Sequence, residues 1–482
     1  MQLYLGIDLG TSGVKAVAVG DDGGVVAQSS SPLLVSNPHP GWSEQDPADW
    51  WSATNKAILE LPGNVRQSMT AIGLSGQMHG ATLLDAHDRL LRPAILWNDG
   101  RSADQCRKLE AAVPDSRTIT GNIAMPGFTA PKLLWVREHE PEIFAATQSV
   151  LLPKDFLRLL MTGDKASDLS DAAGTLWLNV GQRDWSDAMI EACGLKRSQM
   201  PELFEGNSPT GRLRSDVAMH WGMKTVPVAA GAGDNAAGAI GIGAISDGDG
   251  LLSLGTSGVI FVATDSFRPN PDNALHAFCH ALPGTWHQMS VHLSAASCLG
   301  WAVRQLGLSD VAAMMNLAEE AGAAEGPELF LPFLSGERTP HNDPHLRAGW
   351  LECDSQTDPG RLACAVLEGV AFAHADGLKV LRDAGTRVER LSVIGGGSNS
   401  RFWGRILASA INVTLDYLDG GEVGPALGAA HLARMASTGE AAKVVCKRPR
   451  VLETIQPNPD LAARLAPKLA QFRQSIDILK SS

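Results

Sequence analysis

LGTSGV at residues 9–14 recurs letter for letter at residues 254–259. Each copy lies between two short apolar runs, a pattern typical of a β-hairpin whose turn is rich in glycine and hydroxyl residues. Such a turn usually has no role beyond reversing the chain. However, an exact six-residue repeat placed half a chain apart favours two similar units. The repeat therefore predicts two related domains, each opening with the same hairpin.

The two turns are also candidate phosphate-binding loops. Their backbone N–H groups and hydroxyls can together hold phosphate oxygens; the candidate residues are Thr11, Ser12, Gly255 and Thr256. The copies differ at the position before the repeat, where the first has Asp8 and the second has Ser253. Mg²⁺ binds through few carboxylates, with water and phosphate oxygens completing its shell. Asp8 is therefore the candidate magnesium ligand.

Length and composition favour a two-domain α/β enzyme. A chain of 482 residues is too long for one hydrophobic core, and 44% hydrophobic residues with 50 glycines suit a fold with many tight turns. The formal net charge of −12 argues against nucleic-acid binding, which depends on Lys and Arg contacts to phosphate. A nucleotide can still bind at one locally positive site. We place the domain boundary between residues 1–246 and 247–482.

The sequence predicts a cytoplasmic protein without membrane contact. No secretory signal precedes the first predicted strand, and no apolar run reaches membrane-spanning length. Seven scattered cysteines without a Cys-x-x-Cys motif are typical of reduced thiols. His276 and His280 have the i,i+4 spacing of a helical zinc pair, but no Glu follows His276 as in zinc proteases. Metal ligation by these histidines is not expected.

Local patterns predict the order of elements in the first domain. Strands are expected at residues 3–8, 14–19 and 25–30, then a helix capped by Asp46, then a buried strand at 71–75. This order opens the ribonuclease-H-like unit of actin-like ATPases. We expect an α/β fold of two such domains with a catalytic cleft between them. The analogy concerns the fold and does not itself name a function.

Polar and aromatic side chains follow two predicted strands, at residues 71–75 and 94–97. The carboxyl ends of strands are where α/β proteins bind ligands. Amide and imidazole groups there can bind sugar hydroxyls, and an indole offers a flat apolar surface to a sugar, although a buried His or Trp in the core fits the pattern as well. Residues 121–211 are interpreted as an insertion that helps to form the pocket wall. The candidate sugar-binding residues are Gln77, Met78, His79, Trp97 and Asn98, with Asp99 beside them.

Asp234 is the candidate general base. It follows a predicted strand at 225–230 and a glycine-rich turn, at the start of a helix of small residues, with Asn235 beside it. An Asp in this position is commonly only a helix N-cap. In the functional interpretation the helix N-terminus stabilises its ionised form, so that the carboxylate can accept a proton at neutral pH.

A second glycine-rich turn is the candidate adenosine site. A strand at 391–394 ends in three consecutive glycines from Gly395, and a helix follows from Arg401. Strand, glycines and helix form a nucleotide-binding arrangement, because only glycine lets a base or ribose approach the backbone. Residues 335–341, SGERTPH, form a dense polar loop without an assigned role, and a second helix of small residues is expected from Gly424.

These residues resemble the FGGY family of carbohydrate kinases over essentially the whole chain. The first family signature is matched by Gly127, Thr129, Lys132, Leu133 and Trp135. The second signature is only partly kept: the family has a glycine, an aliphatic residue and an acidic or amide residue where this chain has Glu352, Cys353 and Arg361. Segments 76–80 and 95–99 are similar to the sugar pocket of the members that phosphorylate D-xylulose, and glycerol-phosphorylating members look different there.

The resemblance implies a reaction and a distribution of roles. D-xylulose would bind in the N-terminal domain, against Met78, His79, Asp234 and Asn235, as a step of pentose catabolism. Asp234 would also take the proton from the C5 hydroxyl as this oxygen attacks the γ-phosphate of ATP. The two repeated loops, helped by Lys15, would hold the phosphates, and Asp8 would hold Mg²⁺. The adenosine would lie near Gly395, Gly396 and Asn399. The resemblance leaves room for a homodimer.

Three alternatives stay open on the sequence alone. Another sugar or polyol kinase of the same family, for example a ribulokinase-like enzyme, differs only in its substrate profile. A nicotinamide-dependent dehydrogenase fits the loose Gly231-x-Gly233-x-x-Ala236 pattern, but no second strand ending in an acidic residue follows at the expected distance. A non-catalytic actin-like ATPase would not need His79 or Asp234. The absence of a Walker A motif removes the P-loop kinases.

Overall fold

A computed structural model describes residues 2–419 and 424–481 of the chain. Two seven-stranded sheets dominate it, one built from the first half of the sequence and one from the second. The first sheet ends at Gly233 and the second begins at Gly250. The proposed domain boundary lies between these two residues.

The first half contains fifteen strands and eleven α-helices within the described residues. The strands are β1 (Leu3–Leu9), β2 (Gly13–Gly20), β3 (Val25–Pro32), β4 (Glu44–Gln45), β5 (Met69–Gly76), β6 (Thr82–Leu84), β7 (Ala94–Ile95), β8 (Ser149–Leu151), β9 (Ala166–Asp168), β10 (Leu178–Asn179), β11 (Asp184–Trp185), β12 (Glu202–Phe204), β13 (Pro209–Arg212), β14 (Pro227–Ala229) and β15 (Ala232–Gly233). The helices are α1 (Pro47–Glu60), α2 (Gly63–Gln67), α3 (Ala103–Ala112), α4 (Ser116–Thr120), α5 (Thr129–His139), α6 (Pro141–Ala146), α7 (Pro153–Thr162), α8 (Leu169–Ala173), α9 (Asp187–Ala192), α10 (Ser215–Trp221) and α11 (Asp234–Gly241).

The second half contains nine strands and seven α-helices within the described residues. The strands are β16 (Gly250–Leu254), β17 (Gly258–Thr264), β18 (His276–Cys279), β19 (Trp286–His292), β20 (Leu329–Leu331), β21 (Gly349–Leu351), β22 (Arg390–Ile394), β23 (Thr414–Leu418) and β24 (Val451–Ile455). The helices are α12 (Ser297–Leu306), α13 (Val311–Ala321), α14 (Pro359–Asp383), α15 (Arg401–Ile411), α16 (Gly424–Thr438), α17 (Ala442–Val445) and α18 (Pro459–Ser481).

The two sheets share one topology. In the first, the antiparallel strands β3-β2-β1 continue into β5 and β14, which run parallel to β1. In the second, the antiparallel strands β19-β17-β16 continue into β22 and β23, parallel to β16. The repeated sequence forms the turn between the first two strands of each sheet. The predicted class, two ribonuclease-H-like domains of the actin-like type, is confirmed.

Most predicted elements are present with small shifts at their ends. Asp46 caps α1, its carboxylate accepting from the N–H of Ala48, and α11 begins at Asp234 itself, so the N-cap position belongs to Gly233. His276 lies in strand β18 rather than in a helix, so the helical spacing of His276 and His280 was misleading. Within the described residues, no helix is long and apolar enough to cross a membrane.

The inserted middle region packs against the second sheet as well as against its own domain. One hydrophobic cluster joins Trp135 and Trp177 of the insertion to Phe261, Phe278 and Met289 of strands β17, β18 and β19. The insertion therefore bridges the two halves of the chain and closes one side of the cleft between the sheets.

Helix α16 belongs to the second half of the sequence but packs on the first sheet. Gly6 and Gly73 are register partners on β1 and β5, and together they leave a flat strip for this helix. A Cβ atom on Gly6 would lie 1.8 Å from the carbonyl oxygen of Ala426, and one on Gly73 would lie 1.9 Å from that of Ala429. Only glycine, which has no Cβ, allows two backbones to approach this closely. The strip fixes how the two sheets face each other.

Candidate active site

A cavity of about 320 Å³ opens between the two sheets. Its walls come from both halves of the chain, as expected for a ligand enclosed between two domains. The first half contributes Met78, His79, Trp97, Met125, Gly127, Phe128, Asp234 and Asn235. The second half contributes Ser253, Ser257, Val259, His276, Phe278, Met289, Val291 and Arg338. The structure thus brings five of the sequence-predicted site residues together in one cavity: Met78, His79, Trp97, Asp234 and Asn235.

His79 is held at the cavity wall by contacts on both its backbone and its ring. Its carbonyl oxygen accepts from Lys132 Nζ at 2.8 Å and from Thr129 Oγ1 at 3.1 Å. Its Nδ1 lies 2.6 Å from the carbonyl oxygen of Gly174, which can only accept, so Nδ1 carries the proton and Nε2 is left as an acceptor. The backbone φ of 69° is left-handed, which is uncommon outside glycine and typical of functional positions.

Burial sets the protonation state of His79. It lowers the pKa of the imidazole to about 3, and the nearby positive charge of Lys132 adds to the effect. The ring is therefore neutral at physiological pH. A neutral imidazole with a bare Nε2 is suited to accept a hydrogen bond from a sugar hydroxyl.

Gln77 and Trp97 connect this wall to the first repeated loop. Thr11 donates its hydroxyl proton to Gln77 Oε1 at 3.0 Å, and Trp97 Nε1 donates to Thr11 Oγ1 at 3.0 Å. Gln77 Nε2 donates in turn to Gln45 Oε1 at 2.9 Å. Gln77 is buried and does not line the cavity, so its side chain positions Thr11. Trp97 does line the cavity and is 43% exposed.

Asn98 and Asp99 lie away from the cavity. Asn98 is exposed and borders a shallow groove formed by residues 37–43. Asp99 is buried in an ion pair with Arg101, at 2.7 Å, and accepts from the N–H of Ser43. Its carboxylate thus anchors the loop after β7, and Asn98 stays a sugar-contact prediction without a place in the cavity wall.

Asp234 faces the cavity from the first turn of α11. Its Oδ1 accepts from the backbone N–H of Asn235 at 2.7 Å and from Asn235 Nδ2 at 2.9 Å. Burial raises the pKa of Asp234 to about 7, and the like charge of Asp8 adds to the rise. A carboxylate with a pKa near neutrality is poised to accept and release a proton at physiological pH.

Asp8 lies at the end of β1, beside the first repeated loop. Ser75 donates its hydroxyl proton to Asp8 Oδ1 at 3.0 Å, and Lys15 is its register partner across the hairpin. Burial raises the pKa of Asp8 to about 6, while Ser75 and Lys15 act to lower it. The carboxylate of Asp8 is also close enough to Asp234 to disfavour the ionised form of Asp234.

This pair fits a bound Mg²⁺. A divalent cation at Asp8 offsets the like charge that Asp8 places near Asp234, while burial, the main cause of the raised pKa of Asp234, remains. Within residues 2–419 and 424–481, no group of three His, Cys, Asp or Glu side chains forms a complete metal cage. Mg²⁺ does not need one, because it keeps several waters and takes phosphate oxygens when a nucleotide is present. Asp8 is the residue that would hold it.

The second repeated loop lies beside the triple-glycine turn. Gly395 has a φ of 87°, and a Cβ on it would lie 3.2 Å from the backbone nitrogen of Gly255. Gly396 and Asn399 belong to a single 3₁₀ turn at Gly396–Asn399 and are both exposed. Nothing lies within 4 Å of the position of a Cβ on Gly396, so a flat ligand has room there.

The remaining loop residues also take their predicted positions at the turns. Ser12 and Thr256 are exposed at the tips of the two hairpins. Thr256 uses its carbonyl oxygen to accept from the N–H of Ala295 at 2.9 Å, which ties the second loop to the start of α12. Both side chains are therefore accessible to a ligand from solvent.

A buried ion cluster supports the cavity floor beneath Asp234. Lys154 Nζ lies 2.6 Å from Asp155, 2.7 Å from Asp168 and 3.3 Å from Asp171, and all four side chains are fully buried. Breaking such a network leaves an uncompensated charge, which is strongly destabilising. Asp171 lies in the short helix α8. Ser170 of this helix accepts from the N–H of Gly233, the residue before Asp234.

Three polar residues of the cavity were missed from the sequence: Ser253, His276 and Arg338. Ser253 was noted only as the counterpart of Asp8. His276 was dismissed as a metal ligand, and Arg338 lies in the dense polar loop that received no role. Each comes from the second half, which the sequence assigned to the nucleotide. Only knowledge of how the two halves face each other could have placed them at the sugar pocket.

Family models match both halves of the chain. Residues 3–241 match the N-terminal domain, and residues 250–437 the C-terminal domain, of the FGGY family of carbohydrate kinases. Among curated relatives, a xylulose kinase of Escherichia coli strain K12 is 56% identical over 439 residues, 91% of each chain. A xylulose kinase of Klebsiella pneumoniae is 52% identical over 480 residues, 99% of each chain.

Solved structures give the same result. A xyloylose kinase from Brucella ovis superposes with a TM-score of 0.96 at 47% identity, covering 100% of both chains. A xylulose kinase from Rhodospirillum rubrum superposes with a TM-score of 0.93 at 28% identity, covering 100% of this chain and 99% of the other. With its duplicated sheets, its inter-domain cavity and these matches over nearly the whole sequence, the chain belongs to the FGGY family of carbohydrate kinases.

Proposed function

We propose that the protein transfers the γ-phosphoryl group of ATP to the C5 hydroxyl of D-xylulose, giving D-xylulose 5-phosphate. The observation that carries the proposal is Asp234, a carboxylate with a pKa near 7 in a cavity lined from both domains. The relatives at 56% and 52% identity are named xylulose kinases, which supports xylulose as the acceptor. The D form of the sugar and a role in pentose catabolism, the breakdown of xylose, are part of the proposal.

In the proposed mechanism the protein positions the sugar and receives its proton. Met78, His79 and Trp97 hold the sugar, and the ionised Asp234 takes the proton of the C5 hydroxyl as this oxygen attacks the phosphorus. Asn235 donates two hydrogen bonds to the same carboxylate oxygen and keeps it oriented. Phosphoryl transfer needs little covalent chemistry from the protein, so positioning and charge stabilisation account for most of the catalysis.

ATP and Mg²⁺ would bind on the side of the two repeated loops. Thr11, Ser12, Gly255 and Thr256 would hold phosphate oxygens, with Lys15 close to Asp8 as a further cation. The adenosine would lie on Gly395, Gly396 and Asn399. Mg²⁺, held through Asp8, supplies neutralisation of the negative charge that builds up during transfer. In this proposal residues 1–246 bind the sugar and residues 247–482 the nucleotide.

Substrate profile separates this proposal from its nearest rival, another sugar or polyol kinase of the family. ADP release from MgATP would be measured with D-xylulose, D-ribulose, L-ribulose, xylitol and glycerol. We expect kcat/KM to be highest for D-xylulose, by about tenfold or more, because one misplaced hydroxyl leaves buried polar groups unpaired. A higher kcat/KM for a ribulose or a polyol would show that this compound, and not D-xylulose, is the substrate. ADP release that no acceptor stimulates would favour an actin-like ATPase.

The pH dependence of kcat/KM for D-xylulose should follow the ionisation of Asp234. Only the ionised carboxylate can accept the proton, and its pKa is raised to about 7. Activity should therefore fall as the pH drops through this value, approaching about a tenfold loss per unit below it. The measurement is a pH–rate profile at saturating MgATP. An acid limb with its midpoint in the ordinary carboxyl range, near pH 4, would contradict the assignment.

The proposal also includes location and assembly. We place the protein in the cytoplasm, where ATP is available and where seven free cysteines would stay reduced. A homodimer is the proposed assembly, and sedimentation or light scattering of the purified protein would measure it directly.

A further inference from the structure

We propose that Arg338 donates a hydrogen bond to the C2 carbonyl oxygen of an open-chain 2-ketose, so that this residue selects ketoses over the corresponding polyols. The inference rests on the proposed function and adds to it the form of the sugar that binds and the residue that recognises it.

The loop that carries Arg338 is fixed on both sides of this residue. Glu337 Oε1 accepts from the N–H groups of Leu293 and Arg338, at 2.9 and 2.7 Å. Thr339 donates its N–H to the carbonyl oxygen of Val291 at 3.1 Å, and its hydroxyl accepts from the N–H of Val291 at 3.1 Å. Both anchors lie at the end of β19, which lines the cavity, so the loop points Arg338 into it.

The guanidinium itself has no ion-pair partner within residues 2–419 and 424–481. The ion pairs of this part of the chain do not include it, and the carboxylate of Glu337 is already used by two backbone N–H groups and by His292 Nδ1 at 3.3 Å. An arginine stays charged at any physiological pH, and holding it partly out of water without a partner is costly. Such an arginine in a cavity indicates that a ligand supplies the acceptor.

Two histidines next to Arg338 can accept hydrogen bonds but cannot donate them into the cavity. Nδ1 of His79 donates to Gly174, as described above. His276 Nδ1 lies 2.9 Å from Asn122 Oδ1, and the amide of Asn122 is oriented by donating to Thr120 and Ala277. Both rings therefore present Nε2 as an acceptor. Burial lowers the pKa of both rings, and the positive charge of Arg338 adds to the effect, so Arg338 lies near both histidines in the cavity that all three line.

Asp234 lines the same cavity. Burial raises its pKa, and the charged neighbour that adds to the rise is Asp8, beside the first repeated loop, and not Arg338. The cavity therefore combines a proton acceptor, Asp234, with two hydroxyl-binding imidazoles and one cationic donor, Arg338. A ligand that fits this set has a hydroxyl for Asp234 and an acceptor oxygen for Arg338.

An open-chain 2-ketopentose has this arrangement. Ring closure of such a sugar joins its C5 oxygen to C2, so a free C5 hydroxyl and a free C2 ketone occur in the same open form. The attack by the C5 oxygen therefore requires the open chain. The ketone oxygen can only accept hydrogen bonds, which the two imidazoles cannot donate and a guanidinium can. Xylitol has at C2 a hydroxyl on a tetrahedral carbon, which can still accept a hydrogen bond but places its oxygen differently and carries a proton that needs an acceptor of its own, so it matches Arg338 less well.

The test compares the dissociation constants of D-xylulose and xylitol, measured by calorimetry for the wild type and for Arg338→Gln. We expect D-xylulose to weaken about 30-fold in the variant, the effect of losing a hydrogen bond to a charged donor, while xylitol changes less than about threefold. Arg338→Lys should restore part of the difference. Arg387→Gln is the matched control, because Arg387 is 89% exposed on the surface. Unchanged MgATP affinity and melting temperature show that the variants are folded.

A spectroscopic readout separates recognition of the ketone from a general effect on packing. With [2-¹³C]D-xylulose, the bound sugar should give a carbon resonance in the ketone region, and this resonance should move upfield in Arg338→Gln. Equal weakening of both sugars, a bound hemiketal, or a larger loss for D-xylulose 5-phosphate than for D-xylulose would each overturn the inference. If the wild type prefers a ribulose, the proposed substrate fails, yet the same ketose–polyol comparison with D-ribulose and ribitol still tests Arg338.

Discussion

Asp234→Ala is expected to lower kcat for sugar phosphorylation by about 10³-fold or more while leaving the affinity for MgATP within about threefold. General-base catalysis contributes about 10²- to 10⁴-fold, and here the carboxylate also orients the attacking hydroxyl. The sugar should still bind, because Met78, His79 and Trp97, the other proposed sugar contacts, line the cavity and keep their places in the variant. The measurements are ADP release in the presence of D-xylulose and a titration of MgATP by fluorescence or calorimetry.

Two further variants make this result specific. Asp234→Asn keeps the shape and hydrogen-bonding capacity of the side chain but cannot accept the proton, so its kcat should be as low as that of Asp234→Ala. Asp216→Ala removes another aspartate from the first turn of a helix, on the surface and paired with Arg214, and should behave as wild type. Sugar-dependent turnover close to wild type in either Asp234 variant would refute the general-base assignment.

Gly73→Ala is expected to destabilise the protein by about 3 kcal/mol or more and to remove its activity. The new Cβ would lie 1.9 Å from the carbonyl oxygen of Ala429, a backbone atom that cannot move without shifting α16 as a whole. Overpacking commonly costs about 1–3 kcal/mol, and rigid backbone contacts lie at the upper end of that range. The shift would also move the two sheets relative to each other and misalign the cleft.

The matched control for this prediction is Gly349→Ala. Gly349 is likewise a strand glycine, but nothing lies within 4 Å of the position of its Cβ. Melting temperature and urea unfolding would be compared for the wild type and both variants, since a change in the urea midpoint without a change in slope reports stability. If Gly73→Ala has the same melting temperature and urea midpoint as Gly349→Ala, helix α16 does not pack tightly on the first sheet.

The fold could be predicted from the sequence because its strongest signals are local. The LGTSGV repeat, the alternation of apolar runs and the cap at Asp46 each depend on neighbouring residues alone. The contact of α16 with β1 and β5 could not be predicted, since it joins Gly6 and Gly73 to residues more than 350 positions later. Glycines in two strands and small residues in one helix gave the composition of this interface, but not which surfaces meet.

The site residues also divide into those that local sequence predicts and those that depend on long-range contacts. Met78, His79, Asp234 and Asn235 follow strands of the first sheet, and Trp97 follows β7 of the two-stranded sheet β4-β7. The rule that ligands bind at the carboxyl ends of strands was enough to find them. Gln77 follows β5, as Met78 and His79 do. However, its N–H donates to the carbonyl oxygen of Leu9, and its side chain lies towards Thr11 instead of the cavity.

The residues from the second half required the tertiary structure. His276 has i,i+4 spacing with His280, which suggested a helix, but in a strand the same spacing also puts two residues on one face. Arg338 reaches the cavity only because its loop is pinned to the end of β19. No local pattern distinguishes such an arginine from one on the surface.

The central claim is that the two repeated hairpins hold one nucleotide whose γ-phosphorus faces Asp234. A crystal structure with D-xylulose, Mg²⁺ and a non-hydrolysable ATP analogue tests it most directly. We predict both loops, at residues 10–13 and 255–258, in contact with the same triphosphate, and an Asp234 carboxylate oxygen about 2.6–3.2 Å from the C5 oxygen of the sugar. A nucleotide that touches only one hairpin, or an Asp234 carboxylate turned away from the C5 oxygen, would contradict the account.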